Sequence, residues 1–205
     1  MKAPISWLRE LVNLPEGIGT KEMADAFTAL GLTVEHIEAT GTEVTGPLVI
    51  GRVLSFTEEP QKNGKTIRYC RVDVGAHNAP ADEQNPASRG IVCGASNFAA
   101  GDLVVVALPG AVLPGDFRIS ARKTYGHISD GMICAEDEIG LGEDHSGIIV
   151  IPESSGLHPG DDALAALWPQ DEVLDIEVTP DLSHGLSLRG LGRELAVVTG
   201  VPVSY

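Results

Sequence analysis

Three runs constrain this chain most: Gly90-Ile91-Val92-Cys93-Gly94-Ala95-Ser96-Asn97, then Gly131-Met132-Ile133-Cys134-Ala135-Glu136, then Glu138-Ile139-Gly140-Leu141. Short apolar stretches that end in glycine and small polar residues suit short, closely paired strands. The same pattern repeats from Val44 to about residue 151. Strands are predicted at 48–56, 66–74, 90–94, 103–107, 118–121 and 148–151. Turn signals at Asn63-Gly64, Pro109-Gly110, Pro114-Gly115 and Ser146-Gly147 separate them. Several short strands with regular turns and almost no helix predict a small barrel. Residues 137–141 read as a helical turn plugging one end, and the polar segment 76–88 as a flexible surface loop.

The flanks read differently. Ser6 is placed to cap a helix whose apolar face is Trp7, Leu8, Leu11 and Val12, with Pro15 stopping it. Thr20 is placed to cap a second helix with Met23, Phe27 and Leu30 on one face, ended by Gly31. Residues 32–38 alternate as a half-buried strand. Beyond Pro152, a short helix is predicted over 161–168, a strand over 172–178, and a helix over 187–199 with Leu188, Leu191, Leu195 and Val198 aligned. The economical arrangement is a discontinuous α+β domain from 1–40 plus 152–205, with a barrel of residues 42–151 inserted into it.

Composition limits the function. No run of 18 apolar residues occurs, so no membrane span is predicted, and Met1 to Trp7 lacks a signal-peptide core. Cys70, Cys93 and Cys134 each sit in apolar context, which suits reduced core thiols and a cytoplasmic location. The net charge of −15 argues against a uniformly nucleic-acid-binding surface. That charge is uneven. Residues 42–151 hold 9 Lys+Arg and 14 Asp+Glu, whereas the flanks hold the other 5 and 15.

Two basic clusters lie in the middle segment: Lys62, Lys65, Arg68 and Arg71, then Arg118, Arg122 and Lys123. On extended chain Arg118 and Arg122 point together while Ile119 and Ala121 point inward. Such cations on a barrel suit a sugar-phosphate backbone, although ordinary solvated charge explains them equally well. Tyr69, Phe98, Phe117 and Tyr125 are the aromatics placed for base stacking. Asp144-His145-Ser146 invites a catalytic triad, but neighbours in one turn rarely converge as a triad must. Glu136, Asp137, Glu138, Glu143 and Asp144 lack the spacing of a calcium loop and read as solvated surface. Gly17-Ile18-Gly19-Thr20 lacks a phosphate-loop lysine and reads as a turn and cap.

The chain closely resembles the amino-terminal part of the bacterial phenylalanyl-tRNA synthetase β subunit family. The resemblance starts at Ser6-Trp7-Leu8-Arg9-Glu10-Leu11-Val12 and continues through Ala29-Leu30-Gly31-Leu32-Thr33-Val34-Glu35, Val72-Asp73-Val74-Gly75 and Ile91-Val92-Cys93-Gly94-Ala95-Ser96-Asn97. It then takes in Leu108-Pro109-Gly110-Ala111, Asp130-Gly131-Met132-Ile133-Cys134, and the segments 175–180 and 189–196. The resemblance implies an OB-fold of the tRNA-binding type inserted into a small α+β domain. It also implies a non-catalytic fragment of a heterotetrameric (α2β2) ligase that joins phenylalanine to tRNA(Phe). The α subunit and tRNA(Phe) would then be its partners. ATP and magnesium would serve the whole enzyme, with no cofactor in the fragment. Lys62, Lys65, Arg68, Arg71, Asn97, Arg118, Arg122 and Lys123 are the residues expected to contact RNA. Two departures stand out: Glu58-Glu59-Pro60-Gln61-Lys62-Asn63-Gly64 replaces the family's usual first hairpin, and Thr179-Pro180-Asp181-Leu182-Ser183-His184-Gly185-Leu186-Ser187 lacks a basic residue, with its neighbours, that the family often has there. The alternatives are a subunit-docking module with little RNA contact, or a free-standing hydrolase using Asp144 and His145.

Overall fold

The structure, a computed structural model, describes residues 1–203 except 15, 16, 63, 82, 84 and 145. The chain forms two compact units. One is built from residues 1–41 and the segment from Gln170 onward, the other from Thr42–Pro169.

In the first unit, β1 (Lys2–Pro4) leads into α1 (Ile5–Leu11), followed by α2 (Thr20–Ala29) and β2 (Val34–Thr40). The cap expected from Ser6 is made differently. The helix begins at Ile5, and Asp171 accepts both the Ser6 N–H at 3.1 Å and its hydroxyl at 2.6 Å. A carboxylate from elsewhere in the chain thus satisfies an orphan amide of the first turn. For α2 the N-cap is Gly19, whose N–H is accepted by Glu22 at 3.1 Å, so Thr20 lies inside the helix. The Gly17–Thr20 turn is pinned further by Arg9, which donates to the Ile18 carbonyl at 2.7 Å. Pro15, the expected helix stop, lies outside the described residues.

The barrel unit follows: β3 (Leu48–Pro60), β4 (Thr66–Asp73), β5 (Arg89–Cys93), β6 (Leu103–Ala107), β7 (Val112–Leu113), β8 (Phe117–Arg118), β9 (Arg122–Thr124), β10 (His127–Ser129), β11 (Met132–Ile133), β12 (Val150–Ile151) and α3 (Ala163–Leu167). Its main sheet runs β11-β6-β3-β4-β5 and is antiparallel throughout. The free side of β5 is closed by the segment entering β11, where Asp130 N–H donates to the Gly90 carbonyl at 2.8 Å and Val92 N–H to Ser129 Oγ at 3.0 Å. A five-stranded barrel in which the first strand sits between the second and fourth is the OB-fold.

Alternation explains the core. Val49 and Val53 of β3, Cys70 and Val72 of β4, Ile91 and Cys93 of β5, Val104 and Val106 of β6, and Ile133 fill the interior. The other face of β3 and β6 is also buried. Leu48, Ile50, Leu103, Val105 and Ala107 pack with Ile139, Ile151 and Ala163 into a second cluster. Both faces of β6 are therefore apolar, which is why all five of its residues are buried. The turn Asp137–Ile139 belongs to this outer cluster, so it covers the barrel wall and does not plug an end.

The outer cluster also moves a boundary. Residues 152–169, assigned from the sequence to the α+β domain, belong to the barrel unit. Ile50 N–H donates to the Asp161 carbonyl at 2.9 Å and Gly160 N–H to the Ile50 carbonyl at 2.8 Å. Asp162 then caps α3 through Leu164 N–H and Ala165 N–H.

The chain returns as β13 (Asp171–Ile176), which pairs between β1 and β2, and ends in α4 (Leu188–Thr199). Ser187 caps α4 by accepting the Gly190 N–H at 3.0 Å, and Gly200 closes it at φ 70°. Leu8, Met23, Phe27, Leu174, Ile176, Leu191 and Leu195 form the core of this unit. Three expected core positions face outward instead: Trp7, Ile37 and Val198 are all exposed.

Candidate nucleic-acid interface

Strands β4, β5 and β11 expose a groove of about 620 Å³. The turn joining β3 to β4 contributes Lys65, and the β9–β10 hairpin contributes Arg122, Thr124 and Tyr125. Val92, Gly94 and Ile133 line it from the barrel wall, and Glu138 is its acidic member. The β9–β10 hairpin is held against the β3–β4 hairpin by a ring stack. Tyr69 and His127 lie parallel with centroids 4.0 Å apart, and His127 Nε2 is 2.9 Å from Glu59 Oε1. Gly90 makes room for this stack, since a Cβ there would run into the Tyr69 hydroxyl.

The basic residues expected to meet RNA divide into two sets. Arg68 sits in phase with the inward-facing Cys70 and Val72, and its side chain is only 13% exposed. Its guanidinium lies 4.3 Å from the Phe56 ring centroid and 4.8 Å from that of Phe98. It also bonds Glu58 at 2.8 and 3.0 Å and the Phe98 carbonyl at 2.7 Å. Arg71 is half-buried and donates to Ser88 Oγ at 3.1 Å. Asn97 donates to the Ile148 carbonyl at 2.8 Å and accepts the Ile148 N–H at 3.0 Å, stapling the loop after β5 to the segment that leads into β12. These three groups already serve the framework.

The second set is at the surface. Lys62, Lys65, Arg118, Arg122 and Lys123 are exposed. Arg118 pairs with Asp116 at 3.0 Å, with both side chains 74% exposed. Solvent screening makes such a pair worth little. Arg118 and Arg122 both line one small pit of about 60 Å³, together with Ile119 between them. Lys123 pairs across the hairpin with Ile128, one residue out of phase with Arg122, and so takes the opposite face. Ile119 is buried but Ala121 is exposed, because the strand expected at 118–121 breaks between β8 and β9. Among the aromatics, Tyr69 is taken up by its stack on His127 and Phe98 is buried against Phe56, while Phe117 and Tyr125 are 44% and 47% exposed.

The remaining candidates resolve simply. Asp144 Oδ1 accepts the Ser146 N–H at 2.8 Å within its own turn, and His145 lies outside the described residues. Glu138 accepts the Ala135 N–H at 2.8 Å. Among the described residues no three His, Cys, Asp or Glu side chains converge on a cation site. No helix of the described residues is long and apolar enough to cross a membrane. Sequence reasoning missed Tyr69, His127 and Glu59 as a unit, because three residues from three strands leave no linear signal. It also missed the Tyr125-Gly126 turn, whose glycine in the second loop position was the available sign.

All three cysteines are free and buried. Burial pushes the Cys70 and Cys134 thiols from 9.0 up to about 12, and raises that of Cys93. The folded state therefore holds protons that the unfolded chain releases between those values. Stabilisation from the thiols is complete below pH 9.0 and is lost as pH rises toward about 12. Each is expected to steepen the alkaline loss of unfolding free energy by up to about 1.4 kcal/mol per pH unit. Urea titrations at about pH 8 and about pH 10 check this, with Cys134→Ala showing the shallower pH dependence.

A β-barrel of OB topology with a cation-edged groove between two hairpins is the architecture of oligonucleotide-binding domains. The chain belongs to the family described as "Putative tRNA binding domain", whose model matches residues 48–161. Over nearly all its length it is also similar to phenylalanine–tRNA ligase beta subunits. That of Cutibacterium acnes is 55% identical over 204 residues, covering 96% of this chain and 24% of that protein. That of Thermobifida fusca is 54% identical, covering 98% and 23%. That of Bifidobacterium longum is 48% identical, covering 96% and 23%. The chain thus spans about a quarter of the length of these relatives.

Proposed function

We propose that this chain is the amino-terminal portion of a phenylalanine–tRNA ligase β subunit whose barrel holds tRNA by its backbone through the groove. It contributes tRNA binding and subunit architecture to the ATP-dependent attachment of phenylalanine to tRNA(Phe), and carries no reaction of its own. The observation that carries this reading is a coincidence of segments. The matched residues 48–161 contain the barrel that brings Lys65 and Arg122 to one groove. Cations on two flanking hairpins suit a phosphate chain, and the scarcity of open aromatic rings favours backbone contact over sequence reading. On this proposal the chemistry with ATP and magnesium belongs to other parts of an α2β2 assembly in the cytoplasm.

The test is tRNA binding to the whole chain over a range of salt. Removing one cation that neutralises a phosphate lowers the slope of log K against log salt by about one. Lys65→Gln with Arg122→Gln is therefore expected to flatten the slope by about two. Binding that ignores salt, or an unchanged slope in the double variant, refutes the groove as the contact surface.

A subunit-docking role has its own support in the first unit, where Trp7 and Val197 are 55% and 76% exposed. A stable complex with the α subunit in the absence of tRNA is the result expected of that role.

A further inference from the structure

The β9–β10 hairpin turns through two residues, Tyr125 and Gly126, because Thr124 pairs directly with His127. Both turn residues are left-handed, at φ 51° and 89°. A two-residue turn with both φ positive favours Asn, Asp or Gly at its first position. A tyrosine there is sterically disfavoured, and its ring gains little from packing, being 47% exposed. Backbone strain that burial does not offset points to a use for the side chain.

The ring's surroundings indicate that use. Tyr125 lines the groove together with Arg122 and Thr124 of its own hairpin and Lys65 of the neighbouring one. The wall beside it includes Gly94, above which a side chain would meet open space. The other exposed aromatic of the barrel, Phe117, has the Arg122 guanidinium 5.8 Å from its ring centroid, so Tyr125 presents the more open face. At about 620 Å³ the groove falls within the range of about 300–1,000 Å³ that encloses a small ligand, which suits a nucleotide or two of one strand and not a duplex.

We propose that Tyr125 is a stacking platform for an unpaired base of an RNA strand whose phosphates lie against Arg122 and Lys65. This rests on the nucleic-acid reading of the groove and adds the class of segment it takes. A base on an aromatic face is recognised through its π surface, which tolerates any base, while the cations track the backbone.

The test measures affinity of the whole chain for a fluorescent oligouridylate and for a blunt RNA duplex of equal length. The unaltered chain is expected to prefer the single strand. Tyr125→Asn suits the turn, so it should melt no lower than the parent. It is expected to weaken single-strand binding by roughly 5- to 100-fold with the salt slope retained. Tyr125→Phe, which keeps the ring, is expected to recover most of that loss. Photocrosslinking of iodouridine-containing RNA to the unaltered chain should place the adduct on Tyr125. If Tyr125→Asn binds the single strand as the parent does while Lys65→Gln with Arg122→Gln weakens it, the stacking role falls and the groove stands. If the unaltered chain binds neither probe, both fall.

Discussion

Gly51→Val is expected to destabilise the barrel by about 3 kcal/mol or more, a large share of the roughly 5–15 kcal/mol that keeps a domain folded. The usual preference runs the other way. Within a strand, valine stiffens the chain and packs well, whereas glycine costs about 0.5–1 kcal/mol. At Gly51, however, a Cβ would stand 2.7 Å from Cγ2 of Val106, 2.7 Å from Cγ1 of Val72 and 3.3 Å from Cγ1 of Val74. Those methyl groups belong to short branched side chains buried in the barrel interior and have nowhere to turn. Urea denaturation followed by circular dichroism checks the effect. Gly94→Ala serves as control, because a Cβ at Gly94 meets nothing within 4 Å and should cost little. Equal stability of Gly51→Val and the parent would mean that β3 does not coil against β4 and β6 as described.

Arg68→Ala is expected to cost about 2–4 kcal/mol of stability while leaving the salt slope of tRNA binding unchanged. The guanidinium lies against the Phe56 and Phe98 rings and makes a paired contact with Glu58. Removing it exposes both rings and leaves the Phe98 carbonyl without its donor. Arg68→Lys keeps the charge but not the planar fork, and should recover only part of the loss. Urea midpoints give the stability and filter binding gives the slope. A slope that falls by about one in Arg68→Ala, with stability intact, would instead place Arg68 on the RNA.

Arg68 also shows what the sequence disclosed and what it hid. Its parity with Cys70 and Val72 was legible, and on a strand that parity means the same face. Charge alone suggested the surface, and the aromatic partners that reward burial come from positions 56 and 98, which no local pattern links to it. Asn97 is similar, since its match to Ile148 exists only once the barrel closes. Residues 103–107 were legible to the residue because an unbroken apolar run is what a strand buried on both faces requires. The segment 117–133 was not, because its strands are two or three residues long and carry too few alternations to show a period. The return boundary was misplaced because α3 and its approach look compositionally like the flank, while their hydrogen bonds go to β3.

The measurement that bears most directly on the groove is amide hydrogen exchange of the whole chain with and without tRNA, read by peptide. Exchange of surface amides slows where a ligand covers them. Protection is expected at 65–67, 92–95 and 122–126, the segments that edge and line the groove. Protection confined to residues 1–41 and the stretch from Gln170 onward, with those three segments unchanged, would contradict the account.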